Sequence, residues 1–459
     1  MVRQNRQKIN KTITKIETAQ ELLTGRGGLA VVNRYLKNVS WLKKELRSFN
    51  SLKNRSWGMP VEKMLFQVIL NFIDGTSQHL SHFDELRKDD SYKALIGEDE
   101  LASTSSLKRL FKSVSHTRSR GFKRLYKRIF LWRLKRDSAP YIKLDLDTVV
   151  FDNHNAKKRE KVNWTYKKVN GFQPLLMKWA GFVVAGKFRE GKAHSNHGND
   201  AAEMIREVVK TIRIKITKPI ILTLDGGFLD EKLMDVCDEL RIAYIMGGKQ
   251  FSDIKTKLSE IPKDEFGIFR KESAGGLEWY YTEFMDKRKK WKKASRLIAT
   301  YLNAEGDQLL VPGTGKVNLN YTNLCVNSIV TQQFEDAGCG YLGKTENIIM
   351  LAHNRGEDEL IHRHIKDFAG EEMPFLKFEM NAEWFHLMIF SFNMHQGFKE
   401  DVFEKREDKQ CYPTTFRRRF IDFAGRIVRH AHTTVLKVRK SVKESITLDS
   451  LWVAAAKPT

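Results

Sequence analysis

The segment YIKLDLDTVVF, residues 141–151, alternates apolar and polar side chains along most of its length. Such alternation is typical of a β-strand with one buried face and one polar face. The two acids of this segment, Asp145 and Asp147, are two residues apart and therefore fall on the same polar face. The segment predicts a strand that presents two carboxylates side by side.

A second strand is predicted at 218–224, where KPIILTL is almost continuously apolar and so indicates a strand buried on both faces. It ends at Asp225, which two glycines follow. In α/β folds, ligands and chemistry lie at the carboxyl ends of such strands. Helical patterns at 200–212 and 230–240 and a strand at 241–248 continue the alternation, which predicts an α/β fold.

A third acid lies in NRGEDELIHRHIKDF, residues 354–368, which the sequence predicts to be one helix. Arg355 and Glu359 are one turn apart, and Lys366 follows two turns later, so the three share a face. An acid between two bases suits a metal-bound phosphodiester, because the acid binds the cation and the bases hold phosphate. The alternative is a solvated helix with an ordinary i,i+4 ion pair.

The composition is that of a folded, strongly basic protein. Hydrophobic residues make up 41% of the 459, which excludes a disordered chain. The formal net charge of +24 indicates a polyanionic partner, nucleic acid first and an anionic membrane surface second. No strongly amphipathic basic helix supports the membrane alternative. No apolar run approaches the roughly 20 residues needed to cross a bilayer.

The localisation expected from the sequence is cytoplasmic and nucleoid-associated. The first residues, MVRQNRQKINK, lack the apolar core of a signal peptide. The cysteines are scattered and form no CxxC pair, so we expect neither a zinc site nor a disulfide framework. They are Cys237, Cys325, Cys339 and Cys411.

The positive charge is concentrated near the start of the chain, where residues 1–140 hold 29 Lys and Arg against 13 Asp and Glu, a net +16. Within that region, Ser and Thr at 103–106 precede LKRLFK, a pattern typical of a capped helix. Its bases Lys108, Arg109 and Lys112 are candidate DNA contacts of a helix-turn-helix-like kind. A solvated basic face is the alternative, but an unbroken basic run repels itself without a polyanion.

The patterns divide the chain into four regions. Residues 251–334 contain several short strand patterns, of which NYTNLCVNSIV at 320–330 is the last, and we expect a β-rich insertion there. The segment at 381–398 is predicted to be a long helix with an apolar stripe packed against the sheet. The expected regions are a helical, basic DNA-binding region at 1–138, a catalytic domain at 139–250 and 335–400, the β-rich insertion at 251–334 and a basic C-terminal region at 401–459.

Asp147, Asp225 and Glu359 come from a strand, the end of a later strand and a following helix, and these can converge in an α/β sheet. Crowded carboxylates repel one another unless cations neutralise them. Two Mg²⁺ ions about 4 Å apart suit phosphodiester cleavage and strand transfer. Each acid alone has a simpler explanation, as a solvated strand residue, a helix cap or a surface ion pair.

The helix at 354–368 resembles the signature Y-x2-R-x3-E-x6-K of the DDE transposases of bacterial cut-and-paste insertion sequences. Ala352 stands where that signature has Tyr. LDLDT at 144–148 is similar to the first-Asp strand of the family, and LTLDGGF at 222–228 to the second. AHSNHGND at 193–200 is also similar. The signature positions that match are Arg355, Glu359 and Lys366.

The resemblance implies an RNase H-like mixed sheet flanked by helices, with a β-rich insertion and an N-terminal helical domain. It implies a site that holds two Mg²⁺ ions, for which Mn²⁺ can substitute, and Asp145 is the fallback for the first ligand. Arg355 and Lys366 would clamp phosphates. The implied catalytic and metal-binding residues are Asp147, Asp225 and Glu359.

Members of this family cut double-stranded DNA at terminal inverted repeats, often through a hairpin intermediate, and act as a homodimer on transposon ends and target DNA. Some hold a flipped base with a Trp from the β-rich insertion, a role open to Trp279 or Trp291, although core packing is the alternative. The expected function is therefore a transposase. The alternatives are a nuclease or resolvase without strand transfer, and a catalytically inactive, transposase-derived DNA-binding protein, which Ala352 favours.

Overall fold

A large mixed sheet runs through the middle of the chain in the computed structural model of this protein. The structure describes residues 13, 15–53, 58–77, 79–116, 121–271, 277–303, 317–430 and 433–458. Its strands are β1 Leu22–Thr24, β2 Ile142–Thr148, β3 Phe151–Asp152, β4 Asn163–Trp164, β5 Asn170–Phe172, β6 Leu175–Trp179, β7 Phe182–Lys187, β8 Ile220–Leu224, β9 Ala243–Gly247, β10 Gly267–Lys271, β11 Leu277–Asp286, β12 Ser295–Asn303, β13 Val317–Thr322, β14 Gly425–His430 and β15 Thr433–Val438.

The helices precede the sheet, connect its strands and follow it. The first seven are α1 Leu29–Asn38, α2 Leu42–Arg47, α3 Val61–Asp74, α4 His82–Leu86, α5 Asp90–Ile96, α6 Thr104–His116 and α7 Gly121–Leu134. Those within and after the sheet are α8 Asp200–Arg213, α9 Glu231–Glu239, α10 Ser252–Ser259, α11 Ser328–Asp336, α12 Thr345–His353, α13 Arg355–Ala369, α14 Phe378–Val402, α15 Arg406–Gln410, α16 Pro413–Phe420, α17 Lys440–Ser445 and α18 Leu448–Ala454.

The central sheet has nine strands in the order β10-β11-β12-β13-β9-β8-β2-β6-β7. Strands β2, β8 and β9 are parallel to one another, and the other neighbouring pairs are antiparallel. The predicted α/β fold with an RNase H-like mixed sheet is therefore confirmed. The β-rich segment continues this sheet, because β13 pairs with β9 and places Tyr321 opposite Met246.

The alternation in β2 decides which side chains face each layer of helices. Leu144 and Leu146 are buried in a core shared with α8 and α9 on one face of the sheet. The opposite face carries Asp145 and Asp147 from β2, and also Ile221 of β8, which packs in a second core with residues of α11 and α12. The acids therefore point towards the side of the sheet where α12 and α13 lie.

Helix α14 is the centre of the helical part of the molecule. The sequence predicts one apolar stripe, but 18 of its 25 residues are buried, because α3, α6 and α7 pack on it as well as strand β7. The edge of the sheet is joined to this helix by a side-chain amide. Asn393 accepts a hydrogen bond from the Val183 amide at 2.9 Å and donates one to the Val183 carbonyl at 2.7 Å.

The two ends of the chain meet in a separate three-stranded sheet. Strand β1 pairs with β14, with Leu22 opposite Ile427, and β14 pairs with β15. Helix α18 then packs on α1. The division into four regions stays a prediction.

One boundary in the β-rich region differs from the sequence pattern. The strand predicted across 320–330 ends at Thr322, and helix α11 begins at Ser328. Asn327 explains this, because its side chain accepts a hydrogen bond from the Val330 amide and caps the helix.

Among the described residues, no helix is both long and apolar enough to cross a membrane.

Candidate active site

Two acids meet at the carboxyl ends of neighbouring parallel strands. Leu146 of β2 pairs with Leu224 of β8, and the next residue on each strand is Asp147 and Asp225, respectively. Neighbouring strands lie about 4.8 Å apart, and residues equivalent in register project from the same face. The structure therefore brings together two of the three predicted ligands, which are 78 positions apart in the sequence.

The turn after β8 is shaped by glycine. The Asp225 carboxylate accepts a hydrogen bond from the Gly227 amide at 2.8 Å, which fixes the side chain at the strand end. A Cβ atom at Gly247, at the end of β9, would lie 2.6 Å from the Gly226 nitrogen. Any side chain at Gly247 would therefore push this turn away from the site.

A buried ion pair lies one pleat below the strand ends. Lys178 of β6 is directly opposite Asp145 in the antiparallel register, and its Nζ lies 2.7 Å from a carboxylate oxygen of Asp145. Asp145 is 1% exposed and Lys178 is fully buried. Arg355 Nε donates to the other carboxylate oxygen of Asp145 at 3.0 Å, and Thr223 Oγ1 donates to it at 2.9 Å.

These partners keep Asp145 ionised. Burial alone would raise its pKa, but Lys178 and Arg355 outweigh the burial, so the pKa of Asp145 is lowered from its ordinary value. The pKa of Arg355 is raised despite burial, because Asp145, Asp147 and Asp225 surround the guanidinium. The guanidinium therefore stays charged between the acids.

Asp147 is in a different electrostatic state from Asp145. Burial raises its pKa to about 6, with Asp145 and Asp225 adding to the rise and Lys178 and Arg355 opposing it. Its nearest cationic atoms are Arg355 Nη2 at 3.4 Å and Lys178 Nζ at 3.8 Å, both longer than a good ion pair. The ionised form of Asp147 is therefore less stabilised than that of Asp145.

His362 of α13 completes this cluster. Its Nδ1 lies 3.9 Å from Asp147 Oδ2, and its Nε2 lies 3.4 Å from Lys178 Nζ. Burial, and after it the Lys178 ammonium, lower the pKa of His362 to about 3. The imidazole is therefore neutral at physiological pH and adds no charge to the site.

Helix α13 carries the remaining residues of the predicted signature. Arg355 is its first residue, and Lys366, three turns later, donates to Glu371 at 2.7 Å. Glu359 belongs to the helix, one turn after Arg355, but the side chains of 356–359 lie outside the described part of the structure. The predicted role of Glu359 as a ligand is therefore untested.

The predicted DNA contacts outside the sheet lie on the surface. Lys108, Arg109 and Lys112 form the exposed side of α6, and Ser103 caps this helix through a bond from the Ser106 amide at 3.1 Å. Their role in DNA binding stays a prediction.

The two Trp candidates of the β-rich region are at least partly packed. The Trp279 ring lies 4.9 Å from the His353 ring and 6.1 Å from the Phe269 ring. The Trp291 ring lies 5.1 Å from the Tyr321 ring. Base recognition by either Trp also stays a prediction.

Sequence reasoning missed Lys178, His362 and Thr223. Lys178 had a signal, because it is the one charged residue in the strand LLMKW and every residue of that strand is buried. A charged residue in such a strand needs a buried counter-charge, and Asp145 supplies it. His362 and Thr223 carried no comparable signal, since both occur in patterns common to ordinary helices and strands.

The donor set fits a hard divalent cation in part. Asp147 and Asp225 supply carboxylate oxygens, the ligand type that Mg²⁺ prefers, and burial together with the neighbouring acids raises the pKa of Asp147. Within the described part of the chain, no group of three or more His, Cys, Asp and Glu side chains forms a metal-binding cluster. A complete site therefore requires a further ligand.

The fold and site define a class, the RNase H-like α/β proteins with acids at adjacent strand ends. The family model described as "Transposase DDE domain group 1" matches residues 7–452 of the sequence. The chain belongs to this transposase family, whose members normally use divalent metal ions. The resemblance deduced from Asp147, Asp225 and the helix at 354–368 is thereby confirmed at the level of the family.

Two further comparisons concern curated proteins and solved structures. A search of curated proteins finds no match. Among solved structures, the chain is similar to the piggyBac transposase in a synaptic complex with hairpin DNA, with 12% sequence identity and a TM-score of 0.37. The similarity covers 96% of this chain and 85% of that one.

Proposed function

We propose that this transposase binds the terminal inverted repeats of its own insertion sequence and catalyses Mg²⁺-dependent DNA cleavage and strand transfer by a cut-and-paste route. The meeting of Asp147 and Asp225 at adjacent strand ends, beside the Arg355 guanidinium, carries this proposal. Acids and a guanidinium at one place are the groups that hold a metal-bound phosphodiester.

Asp147, Asp225 and Glu359 would hold the metal ions. Asp145 is the poorer candidate for the first ligand, because Lys178, Arg355 and Thr223 already contact its two oxygens. We propose that Asp145 orients Arg355, because its carboxylate accepts a hydrogen bond from Arg355 Nε.

When bound, the metal ions supply an activated water or hydroxyl nucleophile and stabilise the leaving oxygen. Residues of the chain hold the DNA around that reaction. Arg355 is positioned by Asp145 with its Nη2 towards Asp147, where it can hold a phosphate oxygen near the cut. Lys366 lies on the same helix, paired with Glu371, and would hold a phosphate further along the strand.

The remaining DNA surface is proposed from charge. Lys108, Arg109 and Lys112 are exposed on a helix that the core holds by its apolar side, so they can bind a duplex without disturbing the fold. Transposon ends and target DNA are the proposed ligands, and a homodimer that pairs two ends is the proposed assembly. Association with the nucleoid follows from such DNA binding.

Cleavage of a DNA fragment that carries the ends of the element tests this function. We expect Mg²⁺ or Mn²⁺ to support cleavage, and EDTA, Asp147→Ala, Asp225→Ala or Glu359→Gln to abolish it. Asp264→Ala removes an exposed acid and is the matched control, expected to cleave as the wild type does. Cleavage that survives Asp225→Ala would contradict the assigned site. Joining of the cut ends into a target plasmid separates a transposase from a nuclease.

The second candidate is a catalytically inactive DNA-binding protein. Its supporting observation is Ala352, a half-buried residue of α12 at the position where the signature has Tyr. On this alternative, the protein binds the ends but cuts them under no metal condition. Metal-dependent cleavage of either end by the wild type would remove it.

A further inference from the structure

Two large aromatic side chains are exposed on the hairpin that follows the first acidic strand. Trp164 is 58% exposed and Tyr166 is 63% exposed, while Thr165 between them is 4% exposed. The alternation of exposed, buried and exposed residues places both rings on the outer surface of the hairpin. Burying such rings against a partner would remove a large apolar area from water.

The hairpin is held firmly in place. Thr165 donates to the Val169 carbonyl through both its amide and its hydroxyl, each at 2.9 Å. Strand β5 then pairs with β3, and a Cβ atom at Gly171 would collide with the Phe151 carbonyl oxygen. Since Phe151 lies four residues after Asp147, the rings are fixed to the segment that leaves the candidate active site.

The hairpin tip and the segment that leads into the hairpin are strongly basic. Residues 157–168 contain six Lys and Arg and one acid, a net charge of +5. That acid, Glu160, is already bound by Lys377 at 2.6 Å and by the Phe378 amide at 3.0 Å. The segment that carries the two rings therefore has a large excess of positive charge, and Lys167 Nζ lies 5.9 Å from the centre of the Tyr166 ring, an arrangement that suits a polyanion.

The small sheet that carries the hairpin is joined to helix α13 through one carboxylate. The Asp152 amide of β3 donates to Glu371 at 2.9 Å, and Lys366 of α13 donates to the same carboxylate oxygen at 2.7 Å. A DNA strand held at the hairpin would therefore lie beside the end of α13 that carries Lys366.

We propose that residues 157–168 bind unpaired nucleotides of a DNA end, with Trp164 and Tyr166 stacked on bases and the surrounding lysines on phosphates. A paired duplex offers phosphates but keeps its base faces covered, so exposed rings can stack on bases only where the bases are unpaired. This proposal deepens the proposed function and rests on it. On this proposal, the hairpin binds the DNA strand that becomes unpaired or displaced beside the cut.

The test compares the full-length protein on two DNA probes of the same random 20-bp sequence. One probe is blunt, and the other carries a four-nucleotide overhang containing 2-aminopurine, whose fluorescence is quenched by stacking. We expect the wild type to quench the overhang and to bind this probe at least about tenfold more tightly than the blunt one, the scale of one stacked base.

The variants separate stacking from charge. The double variant Trp164→Ala/Tyr166→Ala should lose the quenching and the preference for the overhang but keep its affinity for blunt DNA. Trp164→Phe/Tyr166→Phe retains both rings and should retain the preference. The matched control, Tyr341→Ala/Trp452→Ala, removes two other exposed aromatic side chains and should behave as the wild type.

Each remaining outcome counts against the proposal. If the double alanine variant keeps the quenching and the preference, the rings do not stack on bases. If it changes the oligomeric state instead, as measured by light scattering, the rings contact a second copy of the chain. Binding of blunt DNA without any preference for the overhang removes this inference and leaves the proposed function standing. Failure to bind either probe also removes this inference, and the cleavage test on the ends of the element then decides the proposed function separately.

Discussion

Ionisable side chains are buried or half-buried in several regions of this molecule, and two of these regions treat them differently. At the end of β2, Asp145 and Lys178 lie 2.7 Å apart, and the pKa of Asp145 is lowered because its cationic partners outweigh burial. In helix α14, burial raises the pKa of Glu383 to about 8 and lowers that of His386 to about 3. Asp145 is thus held in its charged form, and Glu383 and His386 are held in their neutral forms at pH 7.

The difference comes from the partners that each region supplies. Strand β2 has a cation opposite it on β6 and a second one at the start of α13, so an ionised carboxylate is stable there. The surroundings of Glu383 and His386 in helix α14 are mainly apolar, and burial there favours the neutral form of both side chains. A buried charge is thus stable where side chains of opposite charge meet it, as at the candidate active site and at the ion pair of Arg133 with Asp401.

The largest effect on stability is expected at the ion pair between Asp145 of β2 and Lys178 of β6. Lys178→Met should lower the free energy of unfolding by about 3–5 kcal/mol, because Asp145 stays buried with only part of its counter-charge. Urea unfolding at pH 7.5 measures this loss. Lys167→Met changes an exposed lysine and should shift stability by no more than about 0.5 kcal/mol. A loss below about 1 kcal/mol at Lys178 would contradict the comparison.

The next largest effect is expected in the pH dependence of stability, which tests the protonation of Glu383 in helix α14. The folded protein keeps a proton on Glu383 up to about pH 8, whereas the unfolded chain releases it near 4.5. Wild-type stability should therefore fall as the pH rises from 4.5 to 8. Glu383→Gln removes this penalty and should raise the free energy of unfolding by about 3 kcal/mol at pH 9, with little effect at pH 4.

Thermal unfolding of both proteins across this pH range provides the measurement. Glu404→Gln, at an exposed position just after helix α14, is the control and should show a nearly flat difference from the wild type. An equal gain for Glu383→Gln at pH 4 and pH 9 would show that Glu383 does not titrate in this range.

A smaller effect on stability is expected at His386 of helix α14, where Tyr126 contacts it. The Tyr126 hydroxyl lies 2.9 Å from His386 Nδ1 and donates to the His386 carbonyl at 3.1 Å. Tyr126→Phe should cost about 1–2 kcal/mol, because it leaves buried acceptors without a donor. With the pKa of His386 near 3, the cost should be equal at pH 5.5 and pH 8. A cost that changes with pH would show that His386 is charged.

The exposed charges should contribute least to stability and most to salt dependence. Lys108→Gln/Lys112→Gln should change unfolding by no more than about 0.5 kcal/mol. If both lysines contact phosphates, the slope of log K against log salt concentration for duplex DNA should fall in magnitude by about 1.8. Fluorescence anisotropy between about 50 and 200 mM salt measures the slope. Lys210→Gln/Lys215→Gln on and just after α8 is the control and should leave it unchanged.

Much of the sheet was predictable because its signals are local. Alternation identifies β2, a continuous apolar run identifies β8, and a polar residue at a strand end identifies Asp225. Helix α13, Arg355–Ala369, lies within one residue of the predicted span because its pattern has helical spacing throughout. The family then follows from motifs at these same positions.

The rest depends on which elements become neighbours, and that is not local. Lys178 is recognisable as unusual in its strand, but its pairing with Asp145 depends on β6 lying beside β2. Helix α14 presents a stripe in the sequence, yet helices on several sides bury most of it. The boundary at Thr322 was missed because the cap at Asn327 is a single polar residue within an apolar pattern.

The pairing of Leu22 with Ile427 has a consequence for how the protein is made. These residues are 405 positions apart, so β1 has no partner until almost the entire chain has left the ribosome. At a synthesis rate of about 5–20 residues per second, the wait is roughly 20–80 s. The first helices must persist through that interval without their closing strand, and a message truncated before residue 425 would yield a product that never completes this sheet.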